Sequence, residues 1–167
     1  MALETKTNLQ PGTIKKLQEL IQINVDSQHG FQQAAKDIED MTLSTLFQSL
    51  SHQREEQACE LAKFVEWNHE KPNRTGSYAA AMHRGWMAIR EMLTADNLQA
   101  VLDEAERGED QIKSAYEHAL RETAGSAVND VLQRQYVQVK AAHDRVRDLR
   151  DEHARDGRQR DEGRNSV

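Results

Sequence analysis

Apolar residues recur at three- and four-residue intervals along four long stretches of this chain, and along a shorter fifth stretch between the second and third. That spacing is the period of an α-helix with one buried face. Only two prolines, Pro11 and Pro72, interrupt 167 residues, and both fall where loops are expected. Aromatic residues make up 5% and charged residues 30%. This balance suits helices with a narrow apolar stripe and broad solvated faces, and it disfavours a sheet.

The first helix is expected to begin near Thr13, whose hydroxyl would cap it, with Leu17, Leu20, Ile21, Phe31, Ala35 and Ile38 on its stripe. Gly30 interrupts that helix at a cost of about 1 kcal/mol against alanine, which points to a close neighbour, with local flexibility as the rival explanation. The second helix spans about 42–69 and carries Leu43, Leu46, Phe47, Leu50, Leu61, Phe64 and Val65. A short junction at Asp40 makes the first two helices antiparallel. The clearest loop, KPNRTGS at 71–77, leads to a helix over 78–93 with Met82, Trp86, Ile89 and Leu93 on its stripe. The third and fourth long helices are expected over about 95–123 and 127–152, separated by a turn at Gly125 and Ser126.

If the short helix returns the chain along the bundle, the long helices run up, down, down and up. This is the ferritin-like arrangement with one long connection. The expected fold is therefore an all-α, ferritin-like four-helix bundle with an additional short helix in the crossover between the second and third core helices. One domain covers 13–153, after a flexible stretch over 1–12 and before a polar, disordered tail over 154–167.

The net charge of −6, from 22 basic and 28 acidic residues, offers no broad positive field for a phosphate backbone, so nucleic acid is not an expected partner. The single cysteine, Cys59, fits a reducing compartment, and no apolar run reaches the roughly 20 residues that span a bilayer. A soluble, cytoplasmic protein without a membrane partner is expected.

Wheels drawn at about 100° per residue sort the polar residues of each helix. Asn24, Gln28, Gln53, Arg54, Gln57, Glu109 and Gln135 fall on apolar stripes, Glu60 lies at an edge and His143 flanks one. Asp26 falls opposite its stripe. Arg54 and Glu109 each lie about 14 residues, or roughly 21 Å, from the same end of the bundle, so they can meet. A guanidinium and a carboxylate meeting in a partly dry core would form a charge-assisted bond, with Asn24, Gln28 and Gln57 taking the remaining donors. The rival reading recruits Glu60, Glu109 and His143, with Asp26, as metal ligands. Asp26 to Glu60 and Glu109 to His143 share a spacing of 34 residues. No Glu-x-x-His pair supports that reading, and Arg54 beside Glu109 would repel a divalent cation. His83 and Trp86 could line a small pocket near the crossover, although a Trp at helical spacing is more often core. The ERGED and DRVRDLRDE stretches read as solvated, salt-bridged faces.

The segments IQINVDSQHGFQQAA, SLSHQREEQACEL, AAAMHRGW, AERGEDQIKSAYEHAL and QRQYVQVKAAHDRVRDLRD resemble a bacterial family of four-helix-bundle proteins. That family is catalogued as a domain of unknown function within the ferritin-like superfamily, and the likeness runs over about 14–151. The resemblance implies the fold and no reaction. Ferritin-like relatives hold di-iron centres with carboxylates and Glu-x-x-His, and only Glu109 occupies a comparable inward position here. The leading expectation is a non-enzymatic protein acting through protein–protein contacts, as a homodimer or with another protein, with a stress response as one setting and no cofactor. The alternative is a degenerate ferritin-like metal-binding oxidoreductase acting on oxygen or peroxide.

Overall fold

The computed structural model describes residues 3–74, 79–94 and 97–164, with backbone alone at 79–83, 86 and 94. Among them are five α-helices and no strand: α1 (Pro11–Asp37), α2 (Met41–Trp67), α3 (Ala79–Thr94), α4 (Leu98–Glu122) and α5 (Asn129–Arg164). Local chemistry sets most of the ends. Asp40 accepts from the Leu43 amide at 2.9 Å to cap α2, and Asn97 accepts from the Ala100 amide at 3.0 Å to cap α4. Gly125, at φ 78°, supplies the left-handed residue in the turn between α4 and α5.

The start of α1 corrects the sequence reading. Pro11 opens the helix instead of lying in a loop, in the first-turn position where its missing N–H costs nothing. Gln10 stands at the cap position without a side-chain bond, and Thr13 caps nothing because its hydroxyl donates to Glu4 Oε1 at 2.7 Å. The stretch expected to be flexible over 1–12 is docked from Glu4 onward. Leu9 is buried and its amide donates to Asn68 Oδ1 at 2.7 Å, while Glu4 accepts from the amides of Gln10 and Ala127.

The far end also differs. α5 continues to Arg164, well past the expected end near Glu152, so the tail over 154–164 is helical and almost wholly exposed. Its 36 residues make it about 54 Å long, against about 40 Å for the 27 residues of α1.

Buried apolar side chains form two clusters. One combines Leu17, Leu20 and Ile21 of α1 with Leu61 and Val65 of α2, Ile112 and Tyr116 of α4, and Val131 and Leu132 of α5. The other combines Phe31 and Ala34 of α1 with Leu46 and Phe47 of α2, Val101 and Leu102 of α4, and Ala142 and Val146 of α5. Each cluster therefore takes one half of every long helix, and α1 and α5 run opposite to α2 and α4. Through Ile89, Met92 and Leu93, α3 packs on the second cluster, with its backbone against α1 and α4. The expected stripe residues Met82 and Trp86, and the helix start at Tyr78, lie outside the described side chains. No helix among the described residues is long and apolar enough to cross a membrane.

Candidate functional site

Polar side chains occupy the level between the two clusters. Arg54 follows Leu50 by one turn of α2 and Glu109 follows Ala105 by one turn of α4, so the periods that bury the leucine and alanine bury the charges too. Both side chains are 0% exposed. Arg54 Nη2 donates to Glu109 Oε2 at 2.5 Å, and Nη1 donates to Gln57 Oε1 at 2.9 Å and Gln53 Oε1 at 3.1 Å. Gln57 Nε2 donates in turn to Gln138 Oε1 of α5 at 3.2 Å.

A second chain of bonds runs beside it. Asn24 Nδ2 donates to the Leu20 carbonyl at 2.8 Å and to Tyr116 Oη at 2.9 Å. The Tyr116 hydroxyl donates to Gln135 Oε1 at 2.8 Å, and Gln135 Nε2 donates to Glu60 Oε2 at 2.8 Å. Arg134 closes the chain on Glu60 at 2.5 and 3.2 Å. Burial pushes the Tyr116 phenol far above its ordinary range, against the pull of the Asn24 bond, so it remains a donor. Burial alone would raise the Glu60 carboxyl, but the bonds from Arg134 and Gln135 carry it below its ordinary value.

In this layer the fixed guanidinium opposes a divalent cation and the phenol stays protonated. Among the described residues, Arg54 Nε, Glu109 Oε1 and Asn24 Oδ1 are buried without a hydrogen-bond partner, so the ion pair is single-pronged.

Two expected positions fall elsewhere. The Gln28 side chain is only half-buried, and its backbone carbonyl accepts from Ser51 Oγ at 3.0 Å. Asp26, expected opposite the stripe, is buried, with Oδ2 lacking a partner among the described residues. Burial raises its carboxyl above the ordinary value, only partly offset by His29. The reason is that α1 packs against α2, α3 and α4, so one stripe does not describe its buried surface.

Glu60, Glu109 and His143 do not converge among the described residues. Glu60 is engaged by α5 and Glu109 by Arg54, while His143 faces the α4–α5 seam. There His143 Nε2 lies 2.7 Å from Asp110 Oδ1 and Nδ1 lies 3.2 Å from Asp144 Oδ1. Glu106, one turn before Asp110, brings a carboxylate oxygen so that the three donor atoms of Glu106, Asp110 and His143 lie within 4.8 Å of one another. Glu106 also pairs with Arg150. The sequence reading passed over Glu106 and Asp110 as part of a solvated face; their four-residue spacing on one helix was the available signal.

The proposed His83 and Trp86 pocket lies outside the described side chains. A neighbouring groove of about 440 Å³ runs between α1, α3 and α4, with Gly30, Gly85 and Gly108 in its lining. Cys59 is half-buried with Arg74 Nη2 3.9 Å from its sulfur.

The sequence profile described as Domain of unknown function (DUF2383) matches residues 12–122. The chain belongs to this family. The matched span holds α1 to α4, with Arg54, Gln57, Glu109 and Tyr116, while α5 with Gln135 and His143 lies beyond it. No curated protein sequence matches the chain.

Proposed function

We propose that the protein is a non-enzymatic, cytoplasmic helical bundle of the ferritin-like arrangement, with α3 as its crossover helix, and that it acts through protein–protein contacts, the simplest being a homodimer. The observation that carries the reading is the fully buried Arg54–Glu109 pair. A ferritin-like metal centre would need inward carboxylates and imidazoles at that level. Here a guanidinium holds the inward carboxylate and a second arginine holds Glu60. Function then falls to the surface, where Trp67 is 49% exposed against the edge of Phe64 and Val137 is 66% exposed. These are the apolar side chains that a partner would cover on the proposed reading.

Two measurements test the reading. Light scattering across a concentration series is expected to give twice the 19.1 kDa chain mass; a monomer throughout overturns the homodimer. Peroxide consumption by protein loaded with iron is expected to equal that of iron in buffer. Faster consumption that Glu109→Ala abolishes overturns the non-enzymatic reading.

A further inference from the structure

His143 sits between carboxylates on both ring nitrogens. Its side chain is 8% exposed, and Asp144 faces Nδ1 at 3.2 Å. A carboxylate offers only lone pairs, so in the tautomer that makes this bond Nδ1 carries the proton and Nε2 a lone pair. The opposite nitrogen, Nε2, faces Asp110 Oδ1 at 2.7 Å, and Glu106 directs a third donor to the same place. Two lone-pair atoms at hydrogen-bond distance require a positive charge between them. A proton on Nε2 serves Asp110 alone; a metal ion serves all three donors.

We propose that the α4–α5 seam binds one divalent transition-metal ion, with zinc the best match, through His143 Nε2, Asp110 and Glu106. One imidazole and two carboxylates form a donor set that zinc accepts, with water in the fourth position. Bonds of about 2.0–2.2 Å place tetrahedral ligand atoms about 3.3 Å apart, so Asp110 must open slightly from its 2.7 Å contact, and Glu106 starts within 4.8 Å of both other ligand atoms. Asp110 is 60% exposed and free to swing. Glu106 leaves Arg150, whose guanidinium keeps Asp151 at 2.7 Å and is not stranded. The bond from Nδ1 to Asp144 is the outer contact that orients a ligating imidazole and raises its basicity. The site is separate from the core layer, since Glu109, between Glu106 and Asp110 in sequence, is engaged by Arg54. Bound zinc would clamp α5 to α4.

The test uses the tag-free full chain, stripped with a chelator and titrated with zinc chloride in a calorimeter, with cobalt(II) absorption as a second readout. Saturable uptake of one zinc per chain is expected, with a rise in the thermal midpoint and a tetrahedral cobalt spectrum. Asp144→Asn is expected to weaken zinc binding about 10–100-fold, as loss of an outer contact does. His143→Gln removes it, and Asp110→Asn, a change at an exposed side chain that leaves the fold intact, weakens it even if His143→Gln fails to fold. Absence of saturable zinc uptake, or uptake of equal strength in Asp110→Asn, overturns the site and leaves His143 as a hydrogen-bonded link between α4 and α5.

Discussion

Replacing Glu109 with alanine removes the one charged partner, among the described residues, of a guanidinium that is 0% exposed. Arg54 would retain the amide oxygens of Gln53 and Gln57, which satisfy Nη1, while Nη2 loses its acceptor and Nε has none among the described residues. Removing one member of a buried pair costs about 3–5 kcal/mol, mostly because the surviving charge is left desolvated. For a chain of this length that is a fall of roughly 6–20 °C in the thermal midpoint. Urea unfolding, followed by circular dichroism, measures the loss. The double substitution Arg54→Met with Glu109→Leu replaces both charges by apolar groups of similar volume, and should recover most of the loss because no buried charge is then left without its partner. A cost below about 1 kcal/mol for Glu109→Ala would refute the claim that the layer is dry. Additive effects of the two substitutions would refute the claim that the residues depend on each other.

The phenol of Tyr116 joins Asn24 to Gln135, so Tyr116→Phe leaves Gln135 Oε1 without its donor and should cost about 1–3 kcal/mol in the same unfolding assay. A neutral substitution would show that the bond chain adds nothing. Asp26 has a carboxyl raised by burial, so the folded state holds its proton to higher pH than the unfolded state does, and stability falls as pH rises from the ordinary aspartate range through the raised value. Asp26→Asn should therefore stabilise at pH 7, with the gain vanishing below the ordinary aspartate range; an equal gain at both ends would mean that ionisation is not the cause.

The helices could be read from the sequence because each long one repeats its apolar residues at a single period, and Asp40 and Gly125 mark their junctions by chemistry that acts within a few residues. Arg54 and Glu109 were readable for the same reason, since their wheel positions and distances from a common end are local quantities. Asp26 was misread because a wheel assumes one buried face, whereas α1 has neighbours on several sides. The docking of residues 4–10 has no periodic signature at all. It depends on Asn68 and Ala127, which are brought near only by the completed fold. Glu106 and Asp110 became visible as candidate ligands only once the α4–α5 seam set them beside His143. The helical course of 154–164 ran past Gly157 and Gly163, which ordinarily signal an end, because a glycine weakens a helix without terminating it.

The docked N-terminal segment also bears on the order in which the molecule assembles. Its partners lie far along the chain: Leu9 and Asn68 are 59 residues apart, Glu4 and Ala127 are 123 apart, and Lys6 and Asp130 are 124 apart. Contacts of such long sequence separation carry the largest loop-closure cost and form after local pairs such as α1 with α2. During synthesis, residues 4–9 wait until the start of α5 has been made before they can close over it. Residues 4–9, made before any of these partners, are among the last of the described residues to be secured.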